Sequence, residues 1–290
     1  MGSKQKALAI LGLLSGAVTW GLIWYPYRLL ERQGISGELA SFITYSVALV
    51  LGAVFLFGPL RQIRKAPPIL LWIGLTAGWA NLAYVLAVIH GEVMRVLLLF
   101  YLAPLWTVMF SRFLLGERLN LYGYLVILLS LGGAVVMLWR PESGWPMPRN
   151  QAEWLGLSAG FMFALTNVLA RRAQDLDIRV KSLTVWAGVS LLSLVPLLYR
   201  PVRLDVALTP SSAMLLLAVG LVLYVVTLTV QFGLTHTPAN QAIVIFLFEL
   251  VVAAASAYLL AHEAMSLQEW VGGAMIVAAS LFSGRLAQNG

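Results

Sequence analysis

Cysteine is absent from all 290 residues, and charged residues make up only 11% of the chain. The first absence excludes disulfides, thiolate metal sites and cysteine nucleophiles. The second excludes an ordinary soluble domain, whose surface needs far more polar material. Histidine occurs only three times, and His262-Glu263 is not followed by the second histidine that a zinc-protease helix requires. Glycine-rich phosphate loops of the P-loop and dinucleotide types are missing as well. These gaps argue against an ATP-driven pump in this chain and against an enzyme, so no catalytic residue, metal or cofactor is expected. No cleavable signal peptide is expected either. The apolar stretch from Leu8 to Trp24 is too long and too aromatic for one, and reads as a first spanning helix.

What the chain does have is apolar length. Hydrophobic residues make up 60% of it, and runs of about 20 recur throughout, each able to cross a hydrocarbon core about 30 Å thick. Ten spans are predicted, at roughly 7–27, 38–58, 68–89, 93–115, 121–139, 152–171, 182–199, 211–233, 239–260 and 267–285. The fold class is therefore an all-α polytopic membrane protein whose principal partner is the lipid bilayer. The net charge of +7 does not mark a nucleic-acid binder, because the basic residues sit singly or in pairs at span ends. Lys4, Lys6, Arg61, Arg64, Lys65, Arg112, Arg118, Arg171, Arg172, Arg179, Lys181 and Arg285 fall on one side; Arg28, Arg32, Arg95, Arg140, Arg149, Arg200 and Arg203 fall on the other. The larger group marks the cytoplasmic side, which carries both termini.

The chain also repeats itself. The segment Val96–Gly123 is answered by Val244–Gly272: Leu102 aligns with Leu247, Pro104 with Glu249, and, after one inserted residue, Glu117 with Glu263. Gly12-Leu13-x-x-Gly16 returns as Gly156-Leu157-x-x-Gly160, and Arg28 as Arg172. The proline-rich, polar stretch from Arg140 to Asn150 reads as a linker, dividing the chain into halves at 1–145 and 146–290. Five spans per half is an odd number, so the second half is inverted relative to the first, an arrangement that points to a transporter. Gly12/Gly16, Gly74/Gly78 and Gly156/Gly160 are spaced for close helix contact.

Polar groups deep in a span are costly and informative. Glu249 is the only carboxylate near the middle of one: it reads as an ammonium contact or a proton-coupling group, or else as a carboxyl bracing neighbouring helices. Asn81, Asn167 and Gln231 supply amides, and Asn81 shares a face with Tyr84. Tyr224, Thr227 and Gln231 line another face. Trp20, Tyr101 and Trp106 lie too deep for an interfacial belt, and could wall a cavity that holds apolar side chains or an ammonium. Each amide or aromatic taken alone is more often an interhelical contact. The cavity candidates are Trp20, Asn81, Tyr84, Tyr101, Trp106, Asn167, Tyr224, Gln231 and Glu249.

Over nearly its whole length the chain resembles the EamA-type transporters of the drug/metabolite transporter superfamily. The Leu-Leu turns before Glu117 and Glu263 carry the likeness, as does Phe248-Glu249-Leu250, which keeps a glutamate but lacks the proline that Leu102-Ala103-Pro104 retains. Within that superfamily the run from Phe100 to Thr107 resembles the YddG-type aromatic amino-acid exporters. The resemblance implies a path between the halves lined by the first, third, fourth, sixth, eighth and ninth spans. It also implies a monomeric inner-membrane exporter of aromatic or large apolar amino acids such as phenylalanine and methionine, working by alternating access. A drug or other metabolite as cargo, and a channel-like facilitator, are the alternatives.

Overall fold

Polar capping residues start several of the helices. The side chains of Ser36, Asn120, Asn150 and Thr209 each accept a backbone N–H in the first turn that follows, and Ser266 with Glu269 forms a reciprocal capping box. The computed structural model describes residues 3–56, 67–91, 93–139, 147–199, 209–260 and 266–283. Within them lie twelve α-helices: α1 (Ser3–Arg32), α2 (Gly37–Phe55), α3 (Pro68–His90), α4 (Val93–Phe100), α5 (Ala103–Phe110), α6 (Leu121–Leu138), α7 (Gln151–Arg172), α8 (Ile178–Tyr199), α9 (Pro210–His236), α10 (Ala239–Phe246), α11 (Phe248–Leu260) and α12 (Leu267–Phe282). Span 4 is α4 plus α5, span 9 is α10 plus α11, and the other eight spans are single helices. Among the described residues nine spans are long and apolar enough to cross a membrane, and the tenth, Leu267–Phe282, is apolar but shorter. Arg61, Arg64, Lys65, Arg140, Trp145, Arg200, Arg203, His262, Glu263 and Arg285 lie outside the described residues.

The first span runs past its apolar segment to Arg32 because Leu30 at its end is fully buried in a small cluster with Ile35, Ala40 and Leu216. Span 4 breaks where its proline predicts: Pro104 cannot donate to the Phe100 carbonyl, and the chain tightens through Leu102 N–H to Leu99 O (3.3 Å) and Leu105 N–H to Leu102 O (2.9 Å). Span 9 breaks at Leu247 without any proline, with Leu250 N–H reaching Leu247 O at 3.1 Å. Leu102 and Leu247 are repeat mates, so the two halves interrupt the same span at the same place. Beyond the first break, span 4 closes in a π-helical turn, Ser111–Leu115, ended by Gly116 at φ 71°, a left-handed conformation that suits glycine.

The packing repeats as well. Spans 3 and 6 pack together as spans 8 and 1 do, 3 and 7 as 8 and 2, and 4 and 6 as 9 and 1; spans 2 and 7, and 5 and 10, pair with their own mates. Exchanging the halves maps these contacts onto one another, as an inverted repeat demands. Gly12 lies on the Thr229 carbonyl and Gly16 on Val230, Gly74 and Gly78 lie on span 7 around Gly188, and Gly156 and Gly160 lie on Val96 and Phe100. A Cβ at Gly160 would stand 2.2 Å from the Phe100 carbonyl oxygen, so α4 approaches span 6 only because that side chain is missing.

Candidate functional site

Spans 1, 3, 4, 6 and 9 each bring aromatic residues to one place beside the two breaks. Trp20 meets Phe163 edge-on at 6.4 Å and Phe246 at 5.6 Å; Phe163 meets Phe246 at 5.7 Å and Phe100 at 5.5 Å. Phe100 in turn meets Tyr84 and Tyr101, each at 5.2 Å. The six rings form one connected cluster, mostly edge-to-face or tilted, the geometry that ring quadrupoles favour. Glu249 stands in the first turn of α11, where a helix N-terminus favours negative charge. Its half-buried carboxyl interacts with the Tyr101 hydroxyl and, at longer range, with Tyr84. A carboxylate bordered by aromatic rings suits an ammonium group, while the rings suit an apolar side chain.

Of the nine candidates, then, Trp20, Tyr84, Tyr101 and Glu249 come together. Asn81 sits one turn before Tyr84 with its side-chain oxygen unpartnered. Trp106 belongs to a separate group, packed edge-on against Phe161 at 5.3 Å with its indole N–H unpartnered. Tyr224 stacks on Trp186 at 5.3 Å, in the seam where Gly52 of span 2 admits the Trp186 ring. Asn167 and Gln231 are buried, one turn before Arg171 and Thr235, which are themselves hydrogen-bonded across spans 6 and 8. Nδ2 of Asn167 and Oε1 of Gln231 have no partner. The sequence singles out neither Phe163 nor Phe246; Trp186 stands out there only as sharing a face with Ser190 and Ser193, and Phe100 only as the start of the run to Thr107. Phe246 was within reach, since it follows Tyr101 by the 145 residues that separate Leu102 from Leu247.

Polar contacts gather at the two ends of the bundle. On one face Arg95 of α4 grips Glu153 of α7 with two bonds, Nε to Oε1 at 2.9 Å and Nη2 to Oε2 at 3.0 Å. On the other, Glu117 accepts Ala239 N–H (3.1 Å) and Asn240 Nδ2 (3.2 Å) at the start of α10. Burial raises the Glu117 carboxyl above its ordinary value, opposed by those donors and by the nearby Arg171 charge. Lys181, fully buried, donates to Ala170 O and Thr235 Oγ1, and Arg171 donates to Thr235 O, so both cations sit at the carboxyl ends of spans 6 and 8. A shallow cavity of about 100 Å³ between Arg112, Glu117, Arg118 and Tyr124 opens beside this group. Among the described residues no three His, Asp or Glu side chains converge as metal ligands do.

Comparison with known proteins agrees with this architecture. A solved crystal structure has the same fold, with a TM-score of 0.75 over 97% of this chain and 97% of that one, at 19% sequence identity. No curated relative matches. The family model described as "EamA-like transporter family" matches twice, over residues 7–139 and 150–285, once for each of the two repeated halves that the family carries. By that match the chain, a multi-pass membrane protein, belongs to the EamA-like transporter family of the drug/metabolite transporter superfamily.

Proposed function

We propose that this transporter exports amino acids, favouring aromatic and large apolar ones such as phenylalanine and methionine, by alternating access between its halves. The observation that carries the reading is the six-ring cluster beside Glu249, built from five different spans. Glu249 takes the α-ammonium, with the unpartnered Asn81 oxygen as a second acceptor, and the rings take the side chain. Proton coupling enters through the same carboxylate if ammonium and proton compete for it. The protein works as a monomer in the bacterial inner membrane with both termini in the cytoplasm, and its halves divide near residue 145. The rival cargo, a hydrophobic drug or another metabolite, is favoured by the largely apolar character of the same cluster.

Uptake of labelled phenylalanine and methionine into proteoliposomes preloaded with unlabelled amino acid, with and without a pH gradient, tests the proposal. Saturable counterflow is the expected result. Absence of flux for both amino acids under both conditions refutes the cargo and leaves the drug or metabolite reading.

A further inference from the structure

The pseudo-symmetry that governs the packing is not complete, and two of the pairs that break it lie on the same side. Spans 6 and 8 touch, whereas among the described residues no comparable contact joins their mates, spans 1 and 3. Likewise α5 packs on α10, whereas the mated pair α4 and α11 do not pack comparably. The contacts that are made lie on the face where the chain begins, since Gly233, three residues before the end of α9, packs on Ala9 and Leu13 of α1. These two contacts draw the bundle together on that face.

The polar groups at the drawn-together end are a clasp rather than scattered surface pairs. Pro238 precedes α10 and offers no side-chain cap. Glu117, from the other half of the chain, supplies the cap instead, accepting Ala239 N–H with one oxygen and Asn240 Nδ2 with the other. Asn240 Nδ2 also donates to the buried Ser111 Oγ at 2.9 Å. The first half therefore satisfies groups at the start of α10 that separation of the halves would leave open. We propose that Glu117 is a positioning residue of the transport cycle: its bond to the start of α10 holds the face bearing the N-terminus shut, and its release lets that face open. The inference holds whatever the cargo.

The missing cysteines make the test direct. Thr107 is fully buried on α5 below the clasp, and Leu97 is half-buried on α4 toward the opposite face. Single cysteines at the two positions are labelled with a membrane-impermeant thiol reagent, in otherwise unaltered protein and in Glu117→Ala. The release variant is expected to raise the labelling rate at position 107 and lower it at 97, each by roughly tenfold, the shift that follows from losing the two bonds Glu117 accepts at the start of α10. Ala239→Pro is a second release variant. Proline fits the first helical position, Pro238 already holds the extended φ −54°, ψ 142° that a following proline requires, and only the donor is lost. Opposite shifts at the two reporters in either variant support the clasp. Unchanged labelling in both variants, or shifts of the same sign at both reporters, overturns it, and neither result depends on amino-acid flux.

Discussion

Removing Glu153 should cost more stability than its position near a helix end suggests. Its side chain is 3% exposed, that of its partner Arg95 is 7% exposed, and the two share two hydrogen bonds. Glu153 also accepts Arg149 N–H at 2.9 Å and Asn150 Nδ2 at 3.1 Å, closing the first turn of α7. Glu153→Ala takes from the buried Arg95 guanidinium the carboxylate that accepts two of its bonds, while its bond to Met147 O (3.1 Å) stays, and breaking such a pair costs about 3–5 kcal/mol. Arg95→Ala should cost less, because Glu153 keeps its two donors from the turn. In Arg95→Met/Glu153→Leu no buried charge remains, so the loss shrinks to about 1 kcal/mol, that of a missing cap. The coupling energy should therefore exceed about 2 kcal/mol, well above the additivity of independent sites. Reversible unfolding in mixed detergent and denaturant, followed by tryptophan fluorescence, measures all four members of the cycle. Single variants costing below about 1 kcal/mol, or a double variant equal to their sum, would mean that water reaches the pair and that its burial does not govern its strength.

Three further outcomes follow from the same geometry. Gly160→Val should drive α4 off span 6, since even a Cβ there meets the Phe100 carbonyl at 2.2 Å; overpacking of this kind costs about 1–3 kcal/mol, and an unchanged thermal midpoint would show that the contact is slack. Trp20→Ala opens the ring cluster on the span 1 side and should raise the KM for phenylalanine roughly three- to tenfold, more than for methionine; an equal effect on both would remove Trp20 from side-chain recognition. Because burial in the closed clasp raises the Glu117 carboxyl, the closed face binds its proton more tightly than the open one. Its closure is then strongest below the ordinary carboxylate value and weakens as pH rises through the raised one. Labelling at position 107 should accordingly increase over that window and lose the dependence in Glu117→Gln, with Arg112, Arg118 and Arg171 unchanged around it; an identical pH profile in the Gln variant assigns the titration to another group.

Composition and periodicity reach the fold easily and the site only in part, for different physical reasons. A span must satisfy every backbone group within itself and face lipid with apolar side chains, so its presence is written in about 20 consecutive residues. The site is assembled from single residues on spans far apart in the chain, and an aromatic that lines it has the same local signature as one that faces lipid. Trp20, Tyr84, Tyr101 and Glu249, which the structure brings together, stand out in the sequence because each is unusual at its depth. Phe100, Phe163 and Phe246 do not, because phenylalanine is ordinary in any span. Tyr224 carries the same signature at mid-span as a cavity group, and it stacks on Trp186 in the seam with span 2.

The paired breaks tie these observations together. Irregular backbone in a membrane survives only where protein or water covers the groups it exposes. Pro104 leaves the Phe100 carbonyl without its helical donor, and that oxygen lies 2.2 Å from where a Cβ of Gly160 would stand. The glycine that brings span 6 near α4 is therefore also the cover for the exposed group, and the same residue places Phe163, three positions on, against the Phe100 ring. In span 9 no proline forces the interruption; the break instead puts Glu249 in the first turn of a new helix, where the backbone favours its charge. One half exposes a carbonyl and the other positions a carboxylate at the matched point. Two copies of one five-helix pattern have thus diverged at the level where the rings converge, away from the polar ends of the bundle.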